Sequence, residues 1–387
     1  MKTLHRISFE NSNSMEQIPS DSIDLVMTSP PYPMIEMWDE FFSSQNSEIK
    51  TVLNGKQGFT AFELMHSELD SVWNEVHRIL VDGGIACINI GDATRTVDGN
   101  FMLYPNHSRI LTYLIEIGFA ALPAILWRKQ TNAPSKFMGS GMLPPGAYVT
   151  LEHEYILILR KGHKKTFHTA DEKKQRRESA FFWEERNVWY SDVWTDLKGV
   201  SQTLDRGMER LRSAAYPFEI PYRLINMFSV KGDTVVDPFL GTGTTLFAAM
   251  AACRNSFGFE LEPEFRKPIL SRMNTMVEFS NAQIQSRLKN HFAFVKDRLK
   301  GKKELKYINQ HYQFPVISNQ ETELFLNPLN AVKIIGDNTF EVTYSTKPQA
   351  DFSKDWTEFS TQQGTESAPK EKRSEKQVKE TQLKLLD

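Results

Sequence analysis

One stretch constrains this chain more than any other: Thr234-Val-Val-Asp-Pro-Phe-Leu-Gly-Thr-Gly-Thr-Thr245. It begins as an apolar run of strand length, passes through two closely spaced glycines, and opens an apolar run from Thr245 to Cys253 that reads as a helix. Gly241 and Gly243 admit backbone angles barred to other residues and let the main chain approach a ligand closely. The helix start behind them offers free N–H groups. A loop of this kind at the carboxyl end of a strand is where an open α/β sheet binds its ligand. A P-loop needs a Lys after its last Gly, and none is present; a dinucleotide fingerprint needs a third Gly or Ala, and position 246 is Leu. A nucleoside-type site remains. Glu260 supports it, because it ends the next strand-like run (Ser256 to Leu261), where a carboxylate can hold two ribose hydroxyls.

The rest of the chain supplies alternating elements. Strands are predicted at Leu25–Met27, 85–90, 122–128, 155–160 and 234–237, and helices at 59–80, 107–117 and 221–228. That alternation predicts an α/β domain with a mainly parallel sheet. The Leu25–Met27 run halts at Thr28-Ser-Pro-Pro-Tyr32. Two consecutive prolines force an extended, rigid turn without backbone donors, leaving nearby carbonyls free. Such a turn suits an amine substrate. Ser29 Oγ and a carbonyl of the Pro30-Pro31 stretch can accept both N–H bonds of a base amino group, and Tyr32 can stack on a base drawn out of its helix. Catalysis would then rest on positioning and electrostatics. A Pro-Pro-Tyr turn standing alone is more often structural; its partnership with the 237–245 loop favours the catalytic reading.

Together Ser29-Pro-Pro-Tyr32 and Phe239-Leu-Gly-Thr-Gly243 resemble the hallmarks of the DNA amino-methyltransferases, in the β motif order with the catalytic motif first. The likeness extends to Gly83-Gly84 through Asn89-Ile-Gly-Asp92, to Trp127-Arg-Lys with Glu152-His-Glu-Tyr-Ile-Leu-Ile-Leu-Arg160, and to Tyr216-Pro-Phe-Glu-Ile-Pro-Tyr-Arg-Leu-Ile225. It implies a Rossmann-like fold dependent on S-adenosyl-L-methionine, with an inserted target-recognition region. It also implies catalytic residues Ser29, Pro30, Pro31 and Tyr32, and a cofactor site of Tyr216, Pro217, Asp237, Pro238, Phe239, Gly241, Gly243, Thr244 and Glu260. In that family Ser before Pro-Pro-Tyr goes with cytosine N4 and Asp with adenine N6. The expected activity is therefore N4-cytosine methylation of double-stranded DNA with base flipping, paired with a restriction endonuclease. Adenine N6 is the alternative, and an RNA or protein methyltransferase a more distant one. A nucleotide-binding module without catalysis would be favoured by a broken Pro-Pro-Tyr turn, which is intact.

Expected boundaries follow: a catalytic half at 1–160, a target-recognition region at 161–212, a cofactor half at 213–300, an extension at 301–345 and a disordered tail at 346–387. Residues 161–186, dense in Lys, Arg and Glu, read as a surface or insertion, in which Lys164, Lys165, Arg176 and Arg177 are candidates for phosphate contacts. Trp127 is a candidate to pack on the flipped base. Global charge does not decide the partner, with 46 basic against 48 acidic residues. The two cysteines, Cys87 and Cys253, lack metal-ligand or disulfide spacing, so no metal is expected. Neither has the context of the cysteine nucleophile that methylation at cytosine carbon 5 requires. No signal-like opening and no bilayer-length apolar run occur, so a cytoplasmic protein is expected.

Overall fold

The computed structural model describes residues 1–129, 143–146, 148–198, 216–301 and 305–349. The chain opens with β1 (Lys2–Ser8) and β2 (Ile23–Thr28), then α1 (Asp39–Gln45), α2 (Ser47–Asn54) and α3 (Gly58–Ile79). Next come β3 (Leu80–Ile90), the hairpin of β4 (Ala93–Val97) and β5 (Asn100–Tyr104), α4 (Asn106–Glu116), β6 (Phe119–Arg128) and β7 (His153–Lys161). Helices α5 (Ala170–Glu178) and α6 (Trp183–Trp189) and the short β8 (Val193–Trp194) lead to α7 (Glu219–Phe228) and β9 (Thr234–Asp237). Then follow α8 (Thr244–Ala251), β10 (Asn255–Phe259), α9 (Arg266–Met273) and α10 (Met276–Lys300). Last are β11 (Tyr307–Ile308), β12 (Pro315–Val316) and the hairpin of β13 (Leu329–Gly336) and β14 (Thr339–Tyr344).

Among the described residues, ten strands make one sheet in the order β13-β14-β1-β10-β9-β2-β3-β7-β6-β8. The run from β1 to β3 is parallel throughout, and β7 reverses direction beside β3. Central strands buried on both faces should read as continuous apolar runs. Leu25–Met27 and Val235–Val236 do so, and all five residues are fully covered. One face packs against α7 and α8, including Leu224, Ile225, Leu246 and Phe247. The other packs against α3 and α4, whose Phe62, Leu69, Val72, Val76, Ile110 and Leu114 recur at helical spacing.

Three features depart from the sequence reading. Residues 2–8, where the sequence pattern predicts no strand, form β1, an interior strand of the sheet. Its buried Thr3 and His5 are tolerated because they bond to Tyr344 Oη (2.8 Å) and Ser256 Oγ (2.8 Å). The charged stretch after Lys161 carries core residues as well: Phe182 is fully buried and stacks on His291 of α10 at 4.0 Å. With Leu288, Phe314 and Phe325 it forms a separate small core joining α6, α10 and the extension. The extension itself returns to the main sheet, β14 pairing antiparallel with β1. Of the expected tail, residues 346–349 are described; 350–387 lie outside the described residues, as do 199–212 of the expected recognition region.

Candidate active site

The parallel strands deliver the sequence motifs to one edge, their carboxyl ends. β9 ends on Asp237, and the loop after it is tied back to β10 by Leu240 N–H donating to the Phe259 carbonyl (2.8 Å). Gly241 (φ 53°) and Gly243 (φ 80°) both occupy the left-handed region, and Gly243 caps α8. A Cβ on Gly241 would meet nothing within 4 Å among the described residues, so open space lies there in front of the loop. Glu260, just past β10, accepts from Gly241 N–H (2.7 Å) through one oxygen and from Glu262 N–H (2.9 Å) through the other. Each oxygen keeps a further lone pair, enough for a pair of vicinal hydroxyls. Burial pushes the Glu260 carboxyl up to about 7, against the pull of those two N–H donors.

Asp237 is buried, which raises its pKa, and its bonds from neighbouring hydroxyls and an N–H oppose that rise. It accepts from Phe239 N–H (3.0 Å), from Tyr216 Oη (3.3 Å) and from Thr28 Oγ1 (2.6 Å). The last bond joins β9 to the neighbouring β2, and so locks the cofactor-type loop to the Pro-Pro-Tyr turn. Pro30 and Pro31 are buried behind the turn, while Ser29 and Tyr32 are partly exposed. Tyr32 Oη is held by three groups: Ser29 Oγ (3.1 Å), Glu154 Oε2 (3.0 Å) and Asn89 Nδ2 (2.9 Å). Asn89 Nδ2 also donates to Glu154 Oε2 (2.7 Å), and Lys129 Nζ pairs with Glu154 Oε1 (2.7 Å). Burial and the nearby Glu154 charge hold the Tyr32 phenol well above its ordinary pKa, so it stays protonated. Anchored at its hydroxyl, the ring keeps a fixed orientation on which a flat base can lie.

The arrangement can therefore hold a nucleoside on one side and an amine on the other. The family model described as a DNA methylase, of the N6/N4 class, matches residues 23–271. The chain belongs to this family. It is similar to the type II methyltransferase M.MthZI of Methanothermobacter thermautotrophicus, with 52% identity over 89% of this chain and 96% of that protein. It is also similar to M.MjaI of Methanocaldococcus jannaschii, with 50% identity over 69% of this chain and 90% of that one. Among solved structures, a DNA modification methylase of Thermus thermophilus, complexed with S-adenosyl-L-methionine, is 31% identical. The match covers 69% of this chain and 94% of that one, with a TM-score of 0.54. The fold is thus that of S-adenosylmethionine-dependent DNA methyltransferases, and S-adenosylmethionine is the methyl donor of this DNA methylase.

The methylase gathers Ser29, Pro30, Pro31, Tyr32, Tyr216, Asp237, Phe239, Gly241 and Glu260 at one edge of the sheet, but not the residues expected to touch DNA. Trp127 is 1% exposed, with its indole N–H donating to the Leu197 carbonyl (3.0 Å), and it is a core residue. Position 127 of β6 points inward, which leaves the ring no face for a base. Lys165 bridges Asp24 (2.7 Å) and Asp233 (3.0 Å), at the amino ends of β2 and β9. That is the edge opposite the turn. Lys164 is exposed beside it, Arg176 lies over the Phe167 ring (4.9 Å), and Arg177 pairs with Glu323 (2.7 Å). Helix α5, which carries both arginines, packs on the Lys231 turn that precedes β9. The described part of the basic stretch therefore stands away from the catalytic edge, because β7 runs antiparallel to β3 and carries the chain back down before the charges begin.

Asn89, Glu154 and Lys129 were not singled out by the sequence. Each lay inside a matched motif, but only the β3–β7 and β6–β7 pairings bring them together. Asp92, also in a motif, accepts from His107 N–H (3.0 Å) and so caps α4. Both cysteines are buried, and burial raises both thiol pKa values, which disfavours the thiolate that a cysteine nucleophile needs.

Proposed function

We propose that this methylase is a type II DNA methyltransferase that methylates the exocyclic N4 of cytosine in duplex DNA, protecting that DNA from a companion restriction endonuclease. The observation that carries the proposal is the Thr28–Asp237 bond, which fixes a Ser-Pro-Pro-Tyr turn beside a loop suited to a nucleoside. Ser29 presents a neutral hydroxyl at the position where an acidic residue would go with adenine. The names of the relatives above, both type II methyltransferases, support the restriction–modification setting.

When bound, S-adenosylmethionine supplies a methyl group activated by attachment to a sulfonium. The residues present fit it: open space before Gly241, free lone pairs on Glu260 for the ribose, and N–H groups at the start of α8. Asp237, Pro238, Phe239, Gly243, Thr244, Tyr216 and Pro217 shape the remainder of that cradle. The target base, turned out of the duplex, lies against Tyr32, an interaction worth about 1–3 kcal/mol for an aromatic platform. Its amino nitrogen is conjugated into the ring and weakly nucleophilic. Acceptance of its two N–H bonds by Ser29 Oγ and a carbonyl of the proline stretch favours a pyramidal nitrogen with its lone pair free for the methyl carbon. The duplex approaches the edge where the β4–β5 hairpin rises after Asp92, with Phe101 packed on Tyr148 at 4.6 Å.

The test is methyl transfer from labelled S-adenosylmethionine to mixed-sequence duplex DNA, followed by nucleoside mass spectrometry. N4-methylcytosine is expected. N6-methyladenine would overturn the base assignment while leaving the mechanism, and absence of any modified base despite cofactor binding would overturn the DNA reading.

A further inference from the structure

We infer that Glu154 receives, by way of Ser29 and Tyr32, the proton that the substrate amino group loses during methyl transfer. The inference rests on the reading of Ser29 as the amine acceptor, and it adds a destination for the proton.

The direction of the hydrogen bonds follows from which groups can only donate or only accept. Glu154 is a carboxylate in an ion pair with Lys129, so it accepts. Asn89 Nδ2 spends its two N–H bonds on Tyr32 Oη and Glu154 Oε2. Turning that amide over would set Asn89 Oδ1 against the carboxylate. Tyr32 therefore gives its single proton to Glu154 Oε2 (3.0 Å). With that proton committed, the Ser29 hydroxyl must donate to Tyr32 Oη (3.1 Å). The lone pairs of Ser29 Oγ then remain for the amine. The result is a one-way chain: amine, Ser29, Tyr32, Glu154.

Asn89 adds an independent sign that the arrangement is held for chemistry. It is 1% exposed, and its Oδ1 is buried without a hydrogen-bond partner among the described residues. A buried orphan acceptor costs stability. The residue is kept in place by what its Nδ2 does for Tyr32 and Glu154.

The step balances as follows. The amine nitrogen forms the new N–C bond with its lone pair as the sulfonium–methyl bond breaks, and the electrons of the broken bond return to sulfur. The nitrogen is left with a positive charge and loses a proton to Ser29 Oγ. Ser29 passes its own proton to Tyr32, and Tyr32 passes its own to Glu154 Oε2. Serine and tyrosine end unchanged, and Glu154 ends neutral. Lys129, 37% exposed at its side chain, is then solvated by water, and Glu154 releases its proton to solvent after turnover. Among the described residues, the charged and titratable groups bonded to Glu154 are Lys129 after β6 and Tyr32 in the turn; β3 contributes the neutral Asn89.

The experiment compares the full-length wild type with E154Q, Y32F and the double variant, in single-turnover methyl transfer on a duplex carrying the mapped target. Gln at 154 keeps an acceptor for Tyr32 but cannot take up a proton. Phe at 32 keeps the ring but breaks the chain. Each single variant is expected to slow the step by about 100-fold, the usual scale for one proton-transfer group. The double variant should be no slower than either single one, because a chain broken once is already broken. Cofactor affinity by calorimetry and the melting temperature should stay at wild-type values. An undiminished E154Q rate, or additive losses in the double variant, would overturn the relay alone. A loss in E154Q that tracks a fall in melting temperature would also overturn it, in favour of a structural role. A wild type that methylates no amino group of DNA would remove the relay together with the reading beneath it.

Discussion

Removal of the Glu260 carboxylate should weaken cofactor binding, and the structure sets both the size of the effect and its dependence on pH. In Glu260→Ala the ribose hydroxyls lose an ionised acceptor. A hydrogen bond to a charged group contributes about 1.5–3 kcal/mol net. Loss of about 2 kcal/mol corresponds to a dissociation constant raised about 30-fold. Glu260 also titrates in an accessible range, because burial lifts its carboxyl to about 7 in the free protein. Binding favours the ionised form, so cofactor affinity should rise with pH. Between pH 8 and pH 6 the ionised fraction drops from about nine-tenths to about one-tenth, and the wild-type dissociation constant should rise about tenfold. Calorimetry near pH 7 in two buffers of different ionisation enthalpy should register the proton released on binding. Glu260→Ala should show neither the pH dependence nor the buffer effect. An Ala variant within twofold of wild type, or a wild-type affinity flat from pH 6 to 8, would refute the ribose assignment.

Ser29→Ala should lower the methylation rate by about 100-fold or more while leaving cofactor affinity intact, measured by single-turnover transfer and calorimetry. Tyr32→Ala should lose activity and duplex affinity together, and wild-type turnover in that variant would sink the stacking role. In Asp237→Asn a group that now accepts from three donors offers one oxygen and an unwanted N–H, so stability should fall by about 1–3 kcal/mol in urea unfolding, with weaker cofactor binding. Lys165→Met leaves Asp24 and Asp233 facing each other and should cost about 1–3 kcal/mol of stability without altering the salt dependence of DNA binding. A salt slope reduced by about one in that variant would restore Lys165 as a phosphate contact.

The parts of the site that were legible in the sequence are those whose chemistry is local. Gly241, Gly243 and the paired prolines impose backbone conformations on their own neighbours, and the spacing from Gly241 to Glu260 spans a single helix and strand. Asn89, Glu154 and Lys129 were illegible as a cluster because their meeting depends on register across β3, β7 and β6, which no local pattern encodes. The charged stretch after Lys161 misled for a related reason. Two of its aromatics pack against α10, a partner about one hundred residues onward, Phe182 on His291 and Trp183 on Phe294. β1 was missed because its inward side chains include Thr and His, whose hydrogen bonds replace the apolar alternation by which a strand is recognised.

The place of β1 bears on how the chain is made. β1 is flanked by β10 and β14, so neither neighbour exists until residues 255–259 and 339–344 have been synthesised. Until both have been made its two backbone edges stand open, a template for pairing with another nascent chain. The polar and charged side chains along it, Lys2, His5, Arg6 and Ser8 among them, make a poor adhesive for such pairing. Closure of the sheet is therefore a late event, completed by the extension. A chain cut short before Thr339 would leave Lys2–Arg6 without its β14 partner, and should betray itself by aggregation before it does so by loss of methyl transfer.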